Sequence, residues 1–163
     1  MEEQNLNNKV TIETFKESYG HTFKTLNLEW IEEFFVVEQE DLKILSNPKS
    51  YVIDKGGEIF FAIKDDKVIA TSAMVYVDDS TFELAKMTVA KEFRGLGIAN
   101  QLMDRCIDFA KGKNAKYIVL ITNSALVIAR NLYDKYQFKE IDLDSDKYGD
   151  RGNVKMTLNL AEE

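Results

Sequence analysis

From Met87 to Ala99 the chain passes from an alternating, β-branched strand pattern into an amphipathic helix, and it does so through two glycines, Gly95 and Gly97. The helix carries Ile98, Ala99, Leu102, Met103, Cys106, Ile107 and Ala110 at three- and four-residue spacings, and it runs to Lys111, closed by Gly112. A fully apolar run, Tyr117 to Ile121, comes next, followed by a second helical pattern from Ala125 to Tyr136. Strand, helix, strand and helix in that order demand a parallel strand neighbour and a covered sheet.

The first half reads differently. Val10 to Phe15 alternates as a first strand, after an acidic, polar stretch over residues 1–8 that reads as a frayed tail. A helix begins at Thr22, with Phe23, Leu26, Trp30, Ile31 and Phe34 at helical spacing, and a shorter one over Glu40 to Leu45 ends at Asn47-Pro48. Three strand-like runs, EIFFAI, KVIATSAMVYV and TFELAKMTVA, are joined by the short polar turns Asp65-Asp66 and Asp78-Asp79-Ser80, which predicts an antiparallel meander. QFKEIDL and NVKMTLNL close the chain as a last strand pair. No repeat or linker interrupts this order, so 1–163 is read as a single α/β domain.

Composition removes several functions. The net charge of −7 disfavours nucleic-acid binding by phosphate neutralisation. One cysteine, Cys106, and one histidine, His21, are too few for a disulfide, a zinc site or a cysteine/histidine catalytic pair. Asp142, Asp144 and Asp146 imitate the start of a calcium loop, but Lys147 stands where glycine is required and Asn153 where the bidentate glutamate belongs. No metal is expected. With no leader pattern and no membrane-length apolar run, the reading is a cytoplasmic protein without membrane contact.

The glycines precede a helix that has no Ser, Thr, Asp or Asn cap, so its first backbone N–H groups are free for a ligand. Such donors at the positive end of a helix dipole suit phosphate, and Arg94 adds a cation. Between Lys91 and Lys116 six basic residues face three acidic ones, a net +3 inside an acidic chain. A plain strand-to-helix turn accounts for the glycines equally well. Neither the P-loop pattern nor the dinucleotide G-x-G-x-x-G spacing is present.

Arg94-Gly95-Leu96-Gly97-Ile98-Ala99 resembles the R/Q-x-x-G-x-G/A signature of the GNAT superfamily of acetyl-CoA-dependent N-acetyltransferases. Ala129 to Phe138, ARNLYDKYQF, resembles that family's A-x-x-L-Y-x-K-x-G-F segment, with Gln137 in place of the glycine. Lys91 replaces a frequent proline, and Leu126 stands where many members have an asparagine, for which Asn123 is the substitute. The resemblance spans roughly residues 10–160. It implies a mixed, mostly antiparallel sheet of six or seven strands, with helices on both faces and a V-shaped split between the central strands. It also implies an enzyme that transfers acetyl from acetyl-CoA to a primary amine by direct attack in a ternary complex.

Acetyl transfer from a thioester to an amine needs a base for the ammonium, donors for the oxyanion and an acid for the thiolate. By resemblance Tyr133 is the general acid, although it also adjoins an apolar helix stripe. Glu83 is the candidate base, although a strand glutamate is commonly solvated or paired, here with Lys86. Met87, Thr88 and Val89 would offer backbone groups to the pantetheine, and Arg94, Gly95, Leu96, Gly97, Ile98, Ala99 and Asn123 would complete the coenzyme site. Six acidic and no basic residues lie between Glu29 and Asp41, in the segment that by resemblance roofs the acceptor pocket. Glu32 and Glu33 are therefore acceptor-side candidates for a cationic amine, the other reading being a solvated helix face. The expected partner is a small-molecule or peptide amine, with a homodimer left open. The alternative function is a non-catalytic acyl-CoA-binding regulatory module.

Overall fold

The structure is a computed structural model that describes residues 9–143 and 152–161. Seven strands, β1 (Thr11–Glu13), β2 (Glu58–Lys64), β3 (Lys67–Asp78), β4 (Thr81–Val89), β5 (Tyr117–Thr122), β6 (Lys139–Ile141) and β7 (Val154–Asn159), form one sheet in the order β1-β2-β3-β4-β5-β7-β6. Four helices, α1 (Gly20–Phe34), α2 (Gln39–Ser46), α3 (Ile98–Gly112) and α4 (Val127–Lys135), accompany it.

EIFFAI is a continuous apolar run because both of its faces are covered. Ile59, Phe61 and Ile63 pack with Phe23, Ile31, Ile44 and Leu45 of α1 and α2, whereas Phe60 and Ala62 pack with Leu102, Met103 and Cys106 of α3. The β2–β3 connection is two aspartates, Asp65 and Asp66, at φ of 51° and 62°, the left-handed pair whose twist matches a two-residue hairpin. The predicted meander is present, since β2, β3 and β4 pair antiparallel in sequence.

The parallel pair predicted for the second half is β4–β5, and it is short. Only Thr81, Phe82 and Glu83 of β4 pair, with Tyr117, Ile118 and Val119 of β5. Beyond Glu83 and Val119 the two strands diverge, which opens the expected split. The bend that drives them apart lies in β4: Thr71 faces Thr88 while Ala73 faces Ala85, so β4 carries one residue more than β3, and Lys86 sits at φ 53°. A bulge of this kind kinks its strand and increases the local twist.

A buried polar cluster holds the bulge. Lys86 Nζ lies 2.6 Å from Asp41 Oδ1, with side chains 7% and 0% exposed. Asp41 Oδ2 accepts the Glu38 N–H at 2.8 Å ahead of α2, and the Lys86 carbonyl accepts the Thr71 hydroxyl at 3.0 Å. Asn27 Nδ2 of α1 donates to Thr71 Oγ1 at 3.2 Å. Asp41, counted with the acidic acceptor segment in sequence, is therefore an interior counter-ion.

Several boundaries move. The first strand shrinks to three residues, and α1 starts two residues early after a 3-10 turn, Glu17–Tyr19. Asn47-Pro48 does not end helical structure, because Pro48, at φ −63°, leads into a π-type turn over Lys49–Ile53. β6 is shorter than QFKEIDL, and β7 inserts between β5 and β6. The tail over residues 1–8 and the calcium-like Asp144, Asp146 and Lys147 lie outside the described residues. Among the described residues, no helix is long and apolar enough to cross a membrane, and no group of three or more His, Cys, Asp or Glu side chains converges to hold a metal.

Asp41→Ala strands a buried ammonium and should cost about 3–5 kcal/mol in urea unfolding, whereas adding Lys86→Met should recover most of the loss. An Asp41→Ala protein as stable as the parent would remove the ion pair from this account.

Candidate functional site

The sheet split is the mouth of a cavity of about 810 Å³ that reaches both faces of the sheet. On one face Asn27, Trp30 and Phe34 of α1 wall it; on the other, the Gly95–Ala99 junction and α4 do so. Glu83 stands at the last paired position of β4, where the split begins, and lines the cavity together with Met87, Thr88 and Val89. Past Glu83, β4 has no strand partner on the β5 side among the described residues, so that edge faces the cavity.

Gly95 and Gly97 adopt φ of 80° and 81°, and a Cβ on either would meet no atom within 4 Å. The glycines therefore serve the left-handed backbone and not a steric need within the protein. Gly97 caps α3 with no side-chain hydrogen bond. Among the described residues, the N–H groups of Gly95, Leu96 and Gly97 also have no backbone acceptor. A concave set of N–H donors at a helix N-terminus is chemically fit to hold a phosphate. Ile98, Ala99 and Asn123 line the same cavity. Asn123 is buried, and its Oδ1 accepts the Ala125 N–H at 2.9 Å, which turns the chain from β5 toward α4.

Arg94 is tied down on two sides. Its Nε donates to the Val89 carbonyl at 3.0 Å, and its two terminal nitrogens reach Glu33 at 3.5 and 3.3 Å. Two residues that the sequence assigns to opposite ends of the reaction are thus in contact. Leu96 departs from expectation, since its side chain is 63% exposed and borders a separate shallow depression with Phe93 and Lys64. Glu32 is exposed and does not line the cavity, because on α1 it lies off the face that carries Asn27, Trp30, Ile31 and Phe34.

Tyr133 projects into the cavity from α4 and packs against Phe138, with ring centroids 5.9 Å apart. Among the described residues its hydroxyl has no hydrogen-bond partner, and burial pushes the phenol up to about 12. α4 is tethered to α3 by Tyr136, whose hydroxyl donates to Asp104 at 2.7 Å and to the Asn100 carbonyl at 3.1 Å. Gln137, the replacement for the motif glycine, sits at φ 70°, the left-handed exit a glycine would occupy. Lys86, offered in sequence as a partner for Glu83, gives a 2.6 Å contact to Asp41.

Sequence reasoning set the end of α1 over the acceptor pocket but looked to its carboxylates and missed its aromatic wall. Trp30, given no role there, stacks near Phe34 and Phe35 at 5.3 and 6.0 Å and lines the cavity with Asn27. The helical spacing from Phe23 to Phe34 marks a buried face, but core and cavity wall share one period. Cys106 lies in the core as expected, 3.3 Å from the Ser72 hydroxyl, and burial raises its thiol to about 12, far from a reactive thiolate.

The fold has counterparts. Among solved structures, a GNAT-family acetyltransferase from Staphylococcus aureus Mu50 superposes with a TM-score of 0.84 at 24% identity, covering 93% of this chain and 99% of that one. A GNAT-family acetyltransferase from Elizabethkingia anophelis with acetyl-CoA bound has a TM-score of 0.62 at 23% identity, covering 92% and 97%. In sequence, N-acetylaspartate synthetase of Rattus norvegicus is 35% identical over 120 residues, 72% of this chain and 39% of that protein. The chain thus spans about two fifths of the length of that relative. Residues 21–138, which hold α1, the split, the glycine junction and α4, match the model of the acetyltransferase (GNAT) family, and the chain belongs to that family.

Proposed function

We propose that the chain is an N-acetyltransferase that moves the acetyl group of acetyl-CoA to a primary amine within a ternary complex. The observation that carries this reading is the single cavity through the sheet split, with free N–H donors at one end, an aromatic wall at the other, and Glu83 and Tyr133 along it. The acetyl-CoA-bound structural neighbour supports the choice of coenzyme. Gly95 to Ala99 hold the diphosphate through backbone N–H groups, and the free edge of β4 from Met87 to Val89 takes the pantetheine.

Glu83, directly or through a water, accepts a proton from the incoming ammonium. The neutral amine nitrogen attacks the thioester carbonyl, forming the C–N bond, while a β4 N–H stabilises the oxyanion. The C–S bond then breaks, the sulfur takes its proton from the Tyr133 hydroxyl, and the second proton on the new amide nitrogen leaves through solvent and restores the phenol. With its phenol raised to about 12, Tyr133 remains protonated across the neutral and mildly alkaline range, the state a general acid needs. Its loss of that proton cannot produce an alkaline fall in rate near neutrality.

The acceptor is a primary amine, and small amino acids come first because the relative in sequence is named for N-acetylaspartate. A cationic acceptor gains less from the acidic segment than its charge count implies, since Asp41 and Glu33 are paired with Lys86 and Arg94.

Tyr133→Phe should lower kcat by about 10²-fold or more, with little change in the KM for acetyl-CoA, in a thiol-release assay over a panel including aspartate, lysine and polyamines. Binding of acetyl-CoA with no turnover of any amine would favour the regulatory-module reading. Gly97→Glu has open space for its Cβ but strains the left-handed backbone at φ 81°, a strain that Gly97→Ala shares as the control, and beyond that control it should block and repel the diphosphate. Calorimetry should show acetyl-CoA affinity at least about tenfold weaker, beyond 1.4 kcal/mol; affinity equal to the parent's would refute the phosphate site.

A further inference from the structure

Glu33 occupies a position that its own helix disfavours. It lies in the last turn of α1, where the helix dipole opposes a carboxylate, beside Glu32 and with no basic residue in that turn. The missing cation comes from the loop ahead of α3, as Arg94 offers both terminal nitrogens to the two Glu33 oxygens at 3.5 and 3.3 Å. The side chains are 34% and 35% exposed, so solvent screens the contact and a stronger anion can displace it. Arg94 immediately precedes the Gly95–Gly97 donors, which makes it the cation nearest in sequence to a diphosphate seated there.

We infer that Glu33 is a built-in competitor for Arg94 against the diphosphate of coenzyme A, setting coenzyme affinity from the acceptor-side helix. This rests on the coenzyme reading above. Seating the diphosphate draws the guanidinium from Glu33 and leaves the end of α1 with an uncompensated carboxylate. Glu33 is thereby a specificity residue: it penalises ligands that must recruit Arg94 and leaves those lacking a diphosphate untouched. Arg94 keeps its Val89 anchor through Nε, so only the outer edge of the guanidinium changes partner.

The test is calorimetric binding of coenzyme A and of S-acetylpantetheine, which lacks the diphosphate, to the parent, Glu33→Gln, Glu33→Asp, Arg94→Ala and the Glu33→Gln/Arg94→Ala pair. Removing a part-exposed competitor of this kind should tighten coenzyme A by about two- to fivefold in Glu33→Gln, while S-acetylpantetheine stays as in the parent. Glu33→Asp should remain close to the parent. The tightening should vanish in the Arg94→Ala background, because the two changes act through one contact. No tightening, an equal shift for both ligands, or tightening that persists without Arg94 would each overturn the competition. A parent that binds no coenzyme A overturns the coenzyme reading as well, so the two failures are told apart by the parent alone.

Discussion

The architecture of the cavity depends on a bulge that is stabilised from outside its own strand. At Lys86 a lysine takes a left-handed backbone conformation in mid-strand, which a side-chain-bearing residue does not adopt without cost. Three elements hold it there: Asp41 from α2 binds the ammonium, Thr71 from β3 binds the carbonyl, and Asn27 from α1 braces Thr71. A buried ion pair of this kind is a poor source of net stability, since desolvation offsets most of the attraction. Its effect is geometric. A straight β4 would go on pairing with β5, and the sheet would close over the space where the cavity now lies.

Charge is distributed around that opening in a way the overall −7 conceals. The glycine-loop end combines backbone donors, a helix dipole and Arg94, so its pull on an anion is local and survives an acidic surface beyond screening distance. The opposite end is walled by Trp30 and Phe34, which add aromatic surface and no charge. Tyr133, on α4, is buried, and that burial makes its phenol a poorer anion. The Glu33–Arg94 contact joins the two ends across the split.

The two halves of the cavity differ in how well a one-dimensional pattern can describe them. One half is built from contiguous residues: Arg94 to Ala99 form one loop, and Tyr133 lies within one short motif, so a resemblance in sequence was enough to single them out as candidates. The other half is assembled from α1 and β4, and on α1 a residue facing the cavity and a residue facing the core repeat with the same helical period. Leu96, inside the motif, points away from the cavity, while Trp30, outside any motif, points into it.

What the sequence determined by itself was local and directional. Hydrophobic period and turn chemistry defined the meander, the parallel unit and the glycine-borne helix start, because each depends on neighbours a few residues away. Tertiary structure decided the roles of the charges. Glu33, Asp41 and Lys86 are separated in the chain by many residues, and whether a carboxylate is solvated, buried as a counter-ion or bound to Arg94 follows from which strand and helix stand opposite. The same holds for the split. Its depth is set by where β4 bends away from β5, and that bend depends on a hydrogen-bonded cluster whose members meet only once α1 and α2 are packed on their face of the sheet.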